Sequence, residues 1–220
     1  MLLGVTFCVC LILANLLATK QFQLGFLNLT AGVLVFPISY VVNDCITEVY
    51  GYRKARFVIW LAFLLSAFVA LMAQVVCWLP APLQESSRPV ADSFNSLFGM
   101  VPRTTAASLV AFFVGSTVNA WIMSRMKVAS RGRDFGVRAI LSSLGGELAD
   151  SLIFFPVVFS GVLPLPAVLQ LAVTQVCAKV LYEIVALPLT AWFVRYTKKA
   201  EGIDTIDDHI SYNPFRINDI

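Results

Sequence analysis

Charge is scarce in this sequence. Only 13% of its 220 residues are Asp, Glu, Lys or Arg, against roughly a quarter in soluble domains. With 59% hydrophobic residues, a water-soluble globule is excluded. Histidine is reduced to His209, outside every apolar run and read as a solvated surface residue. A serine protease working inside the bilayer needs a buried histidine base, so that chemistry is excluded too. No Gly-x-x-x-x-Gly-Lys phosphate loop occurs, and an ATP-driven partner subunit is not indicated. Cys8, Cys10, Cys45, Cys77 and Cys177 lack metal-ligand or disulfide-framework spacing; they read as small core residues, with no metal and no cofactor expected. The net charge of +3 is too small to argue for nucleic acid. No fixed-period repeat or low-complexity tract is visible.

What is present is a series of long apolar runs. A spanning helix needs roughly 20 apolar residues, and the runs predict six, at about 2–19, 30–50, 57–79, 104–123, 138–159 and 166–194. The fold class is an all-α polytopic membrane protein: one six-helix transmembrane domain over 1–200 and a polar tail over 201–220. The first run lacks the basic start and small-residue cleavage site of a signal peptide, so it reads as a retained helix. Pro37, Pro156 and Pro188 fall inside runs and read as tolerated kinks. In the polar stretch 80–103, Asp92 as a cap, spaced apolar residues and Gly99 predict one short interfacial helix over 92–99.

Lys and Arg concentrate in cytoplasmic loops. Arg53, Lys54 and Arg56 follow the second run, Arg125, Lys127, Arg131, Arg133 and Arg138 the fourth, and Arg195, Lys198 and Lys199 the sixth. The other side holds Lys20, Arg88 and Arg103. Both termini are therefore expected in the cytoplasm.

The charges inside the runs are where chemistry must lie, because a charged group in hydrocarbon turns toward the bundle interior or a wet cavity. They are Asp44 and Glu48, Glu147 and Asp150, and Lys179 and Glu183. Their spacing is helical: Asp44 and Glu48 at i,i+4, Ser143, Glu147 and Asp150 at +4 and +3, and Gln175, Lys179, Tyr182 and Glu183 along one stripe. Asn15, Gln74 and Asn119 add hydrogen-bonding groups. At ~1.5 Å per residue, Glu147 and Lys179 fall near mid-membrane, with Asp44, Glu48 and Glu183 toward the cytoplasm, around a central cavity open inward. Five acids against one lysine leave two solutions: protons on some acids, or donors brought by a ligand. Simpler readings exist for two pairs. Asp44 and Glu48 fit interfacial residues paired to Arg53 or Arg56, and Lys179 with Glu183 fits an intrahelical ion pair. An intramembrane aspartyl protease would set Asp44 against Asp150, but Asp44 lies near the surface and neither aspartate has the glycine-flanked setting of that family.

The run Asn43-Asp44-Cys45-Ile46-Thr47-Glu48-Val49-Tyr50-Gly51-Tyr52-Arg53-Lys54-Ala55-Arg56 resembles the signature of the queuosine precursor transporter family, formerly grouped as vitamin uptake transporters. The resemblance continues through Phe98-Gly99, Pro102-Arg103, Ala107-Ser108-Leu109, Arg138, Ser142-Ser143, Glu147, Asp150-Ser151, Lys179, Tyr182-Glu183, Pro188 and Asn213-Pro214-Phe215. It implies a six-helix inner-membrane importer of 7-deazaguanines (preQ0, preQ1 or queuine) for tRNA modification, similar in fold to the substrate-binding components of vitamin transporters, and not an enzyme. The expected substrate-binding residues are Asn43, Asp44, Glu48, Glu147, Asp150, Lys179, Tyr182 and Glu183. A deazaguanine presents N–H donors that a carboxylate accepts in pairs and a flat ring that an aromatic side chain stacks on; the ammonium of preQ1 suits an acidic cavity. The partners implied are this small molecule and the lipid bilayer, and a homodimer stays open. The alternatives are an importer of another vitamin-like or nucleobase-like molecule and an intramembrane hydrolase.

Overall fold

The computed structural model describes residues 1–17, 20–24, 27–81, 85–98, 102–159, 161, 164–208 and 210–216. Gly99 and His209 lie outside the described residues. Among the described residues seven α-helices run in order: α1 Leu2–Leu17, α2 Phe36–Tyr50, α3 Tyr52–Trp78, α4 Arg88–Phe98, α5 Pro102–Ser130, α6 Phe135–Phe159 and α7 Leu165–Glu201. Five segments among the described residues are long and apolar enough to cross a bilayer, and α1 is apolar but shorter, about 24 Å at ~1.5 Å per residue. Leu3 packs against the cluster of Cys45, Val49 and Val194, so the start of α1 and the ends of α2 and α7 share one end of the bundle. With α4 short, the remaining six helices alternate in direction.

Between α1 and α2 the chain forms a two-stranded antiparallel hairpin, β1 Gln21–Leu24 and β2 Leu27–Thr30, with Gln21 opposite Thr30 and Leu24 opposite Leu27. It is the one departure from an all-α chain among the described residues. Its period-two alternation of polar and apolar residues was available in the sequence.

Several boundaries differ from those the apolar runs imply. The short helix α4 begins at Arg88 rather than Asp92, so Asp92 lies within it. Pro89, in its first turn, favours that earlier start because its missing N–H would be unpaired there anyway. Pro37 lies inside the apolar segment Ala31–Tyr50, as expected, but in the first turn of α2, where it kinks no helix. Helices α5 and α7 continue past their apolar runs to Ser130 and Glu201, so Lys127, Arg195 and Lys198 belong to helices, not loops. Lys and Arg are good helix formers and suit a helix C-terminus. At the α2–α3 corner Gly51 takes φ 83° and its N–H bonds the Thr47 carbonyl at 3.1 Å; a Cβ there would also lie 2.6 Å from Asp207 Oδ1.

Apolar side chains face outward as well as into the core clusters, while charged ones turn inward, as a bilayer demands. Leu64, Phe68, Leu71, Leu181, Val185 and Leu189 face outward, while the central helix α2 buries Asn43, Asp44, Thr47 and Glu48. Helices α5 and α6 approach most closely, through glycines. A Cβ on Gly115 would lie 2.9 Å from the Gly146 carbonyl oxygen, and one on Gly146 would lie 2.8 Å from that of Gly115. Such small-residue contacts are a common packing solution between helices in lipid. Of the cysteines, Cys8 and Cys45 are buried as expected, whereas Cys177 is exposed.

The tail over 201–220 is not simply a solvated appendage. Its described part runs back over the bundle end. Thr205 N–H bonds the Val49 carbonyl at 3.1 Å. Buried Asp207 accepts from Tyr52 N–H at 2.8 Å and Ser124 Oγ at 2.5 Å. Arg56 donates to the carbonyls of Ser211 and Asn213 at 3.2 and 2.7 Å, and Trp60 Nε1 to that of Pro214 at 2.7 Å. Phe215 completes an aromatic group with Trp60 and Phe113.

Candidate binding site

Two polar clusters lie one above the other along α2, divided between residues only one turn apart. The upper cluster begins with a hydrogen-bonded chain across four helices. Asn43 on α2 donates to Asn119 Oδ1 on α5 at 2.7 Å, Asn119 donates to Ser143 Oγ on α6 at 3.2 Å, and Ser143 donates to Glu183 Oε1 on α7 at 2.5 Å. Asp44 lies beside Glu183 and is fully buried. Above it Lys179 on α7 meets Glu147 Oε2 at 2.6 Å and Asp150 Oδ2 at 3.5 Å, both on α6. Its ammonium sits 4.0 Å from the centroid of the Phe36 ring, within cation–π range.

The cluster is under-satisfied. Both oxygens of Asp44, Asn43 Oδ1, Tyr40 Oη and Ser151 Oγ are buried without a hydrogen-bond partner. Buried polar atoms are nearly always paired, and leaving one unpaired costs about 1–3 kcal/mol. Here several gather around one lysine and four carboxyls. The excess is of acceptors, so the group that would complete it is rich in N–H donors. The Phe36 and Tyr40 rings, 5.4 Å apart, supply apolar faces at the same level.

The lower cluster is satisfied. Glu48 is 0% exposed. It takes the Arg138 guanidinium on both oxygens, with NH2 to Oε1 at 3.1 Å, and Lys198 Nζ on Oε1 at 2.6 Å. Lys127 lies 3.7 Å from Oε1 and donates to the Glu48 main-chain carbonyl. Lys127 also meets Asp204 Oδ1 at 2.5 Å and the Thr205 carbonyl at 2.7 Å, and Lys198 meets Asp204 Oδ1 at 2.9 Å. Burial pushes the Asp204 carboxyl up, but hydrogen bonds from Lys127 and Lys198 outweigh it and hold it below the usual carboxylate range.

Of the eight sequence-derived residues, the fold brings together Asn43, Asp44, Glu147, Asp150, Lys179 and Glu183. Glu48 belongs to the separate ion cluster. Its cationic partners are Arg138, Lys198 and Lys127 rather than Arg53 or Arg56, because α2 turns that face toward α5, α6 and α7. Tyr182 is 39% exposed, on the outward side of α7. Lys179 pairs across to α6, not along its own helix to Glu183. Phe36, Tyr40 and Ser151 join the site unforeseen, as does Ser116, whose carbonyl accepts from Asn43 Nδ2 at 3.2 Å. Tyr40 falls four residues before Asp44, so helical spacing was a usable signal for it.

Known proteins decide the lineage. The model of the "Putative vitamin uptake transporter" family matches residues 30–193, which include α2 and α3, α5 and α6, and most of α7. The chain belongs to this family. Within the family's extent fall all the upper-cluster residues and Glu48, Lys127 and Arg138; Lys198 and the tail fall beyond it. The chain is similar to a "Probable queuosine precursor transporter" of Bacillus subtilis (strain 168), 28% identical over 177 residues that cover 80% of this chain and 76% of the relative. A second protein of the same name, from Haemophilus influenzae, is 24% identical over 59% of this chain and 52% of its own length. No solved structure matches.

Proposed function

We propose that this chain imports queuosine precursors, bases of the 7-deazaguanine class, across the inner membrane by binding them in the upper cluster. The two relatives carry that name, and the chain's own chemistry fits the cargo. The observation that carries the reading is the fully buried carboxyl of Asp44, set beside Glu183 and Asn119 with neither oxygen in a hydrogen bond of good geometry, which would accept two N–H donors from an amino-pyrimidine edge. Phe36 and Tyr40 would flank the flat ring. The chain Asn43–Asn119–Ser143 holds the Glu183 carboxyl in place. Transport rather than catalysis is the role. The end of the bundle with the tail, Arg138, Lys127 and Lys198 faces the cytoplasm, because basic residues are retained on that side, and both termini lie there.

The test is uptake by cells unable to make queuosine precursors, each base supplied outside and queuosine in tRNA measured. Expression of this chain restores the modification at low external base; Asp44→Asn does not, at equal membrane abundance. No restoration with any of the three bases would overturn the assignment.

A further inference from the structure

A cleft of about 490 Å³ lies between the start of α6 and the C-terminal half of α7, with Phe135 and Gly136 on one side and Ile184, Pro188, Ala191 and Arg195 on the other. Its lining includes none of the upper-cluster residues, and Ser143 of α6 closes on Glu183 of α7 at 2.5 Å beyond its apolar end. The cleft is therefore separate from the binding site. Ile184, Pro188 and Arg195 are exposed, so it opens on the outer surface of the bundle, which is lipid over the apolar length of α7.

Its α7 wall is one stripe. Ile184, Pro188, Ala191, Arg195 and Lys198 follow one another at spacings of four, three, four and three residues, which places them on one face of the helix. The first three are apolar and the last two cationic. From Ile184 to Val194, the last apolar residue of this wall, the helix rises about 15 Å at ~1.5 Å per residue, the same length as half of the roughly 30 Å hydrocarbon thickness. Trp192 and Tyr196, each 60% exposed and stacked with centroids 5.8 Å apart, mark where α7 leaves the hydrocarbon, because such rings gather at the membrane–water boundary. The apolar part of the cleft thus spans one leaflet, and its cationic end lies at headgroup level.

Positive charge is in excess at that end. Glu48, on the cleft wall, is taken by Arg138 and Lys198, and Asp204 by Lys127 and Lys198. Arg195 adds a further exposed cation that makes no hydrogen bond or ion pair among the described residues. We propose that the cleft is a binding site for one anionic glycerophospholipid, with an acyl chain along Ile184, Leu187, Pro188 and Ala191 and the phosphate at Arg195 and Lys198. Basic pockets between helices near the cytoplasmic surface suit such headgroups, and a zwitterionic headgroup would leave the excess charge uncompensated. The inference rests on membrane residence and not on the cargo; in the orientation proposed above, the leaflet is the cytoplasmic one.

The experiment uses the purified full chain in micelles, titrated with phosphatidylglycerol or with phosphatidylcholine of the same acyl chains, and bound lipid is counted by native mass spectrometry. The first phosphatidylglycerol should bind about fivefold or more tightly than phosphatidylcholine. Arg195→Gln removes a charge that the fold does not use, and should weaken phosphatidylglycerol about fivefold, equivalent to the ~1 kcal/mol of one basic residue at an anionic surface. Ala191→Phe fills the apolar part and should weaken the same lipid with Arg195 intact and the melting temperature unchanged. Lys54→Gln, which removes another exposed cation, on α3, should alter nothing. Equal affinity of the parent for the two lipids overturns the site, as does an Arg195→Gln chain with the parental preference. Binding unchanged in Ala191→Phe overturns the acyl seat. A loss in Lys54→Gln as large as in Arg195→Gln means diffuse attraction and overturns a localised site. Displacement of the lipid by glycerol 3-phosphate at equal concentration overturns the lipid in favour of a free phosphate ester.

Discussion

Lys179 on α7 reaches across to Glu147 on α6, ammonium to carboxylate at 2.6 Å, with Asp150 at 3.5 Å. One lysine thereby engages both acids of α6, and Asp44 and Glu183 are left for other donors. Under the proposed function, those donors come from the ligand.

Glu147→Gln keeps the shape of the side chain and removes its charge. The bond weakened is the one from Lys179, and losing a hydrogen bond to a charged group costs about 1.5–3 kcal/mol; with Lys179 no longer held in place beside the cluster, uptake should fall. Asp150→Asn should act in the same direction, and Asp92→Asn on α4, outside the cluster, should do little. Uptake measured beside membrane abundance separates binding from folding: normal uptake by both α6 variants would remove these acids from the site.

Asp44 and Glu48 should part company although they lie one turn apart. Asp44→Asn removes a carboxylate that no protein group satisfies, so uptake should fall while thermal stability in micelles is retained. Glu48→Gln leaves the buried Arg138 without its anion and Lys198 with Asp204 alone. Breaking a buried ion cluster in this way costs about 3–5 kcal/mol and should lower both the melting temperature and abundance. A Glu48→Gln chain as stable as the parent would contradict the ion cluster.

Gly115 marks a crossing with no spare room. A Cβ there would lie 2.8 Å from Tyr40 Oη and 2.9 Å from the Gly146 carbonyl. Backbone cannot yield as a side-chain tip can, so Gly115→Ala should destabilise by about 1–3 kcal/mol. At Gly136 the nearest atom is the flexible end of Leu187, at 3.2 Å, and Gly136→Ala should be milder. Melting curves of the two variants make the comparison; equal losses would refute it.

Topology is checked by reporter fusions. A fusion after Ser87 should read as external and one after Gly132 as cytoplasmic. The reverse pattern would invert the proposed orientation, and the same reading at both would break the alternation of helices.

The Asp204 carboxyl sits below its ordinary range. A lowered folded-state value contributes stability that is fully present above the unfolded value, near pH 4, and is lost as pH falls through the folded one. Docking of the tail through Asp204 should therefore be constant from pH 5 to 8. Proteolytic protection of residues 203–215 across that range is the measurement, and release of the segment at pH 6 would contradict it.

Membrane residence, the long apolar helices and three polar stripes were legible because each is a one-dimensional property. Run length states what a bilayer accommodates, and three- or four-residue spacing puts Asp44 with Glu48, Glu147 with Asp150, and Lys179 with Glu183 on shared faces whatever surrounds them. Spacing does not say which neighbour covers a face. That is why Asp44 and Glu48 looked alike in sequence, yet packing assigned one to an open cluster beside Glu183 and the other to Arg138, Lys127 and Lys198. Helix ends were misjudged for a related reason. Lys127 and Lys198 read as loop charges until a buried carboxylate on another helix made an inward, helical position favourable. The docking of the tail left almost no trace in sequence, because it runs through backbone carbonyls at Ser211, Asn213 and Pro214, and every residue carries such a group. Only the tertiary structure, by bringing positions some 80 to 160 residues apart within hydrogen-bond reach, determined that the polar end of the chain closes over the bundle.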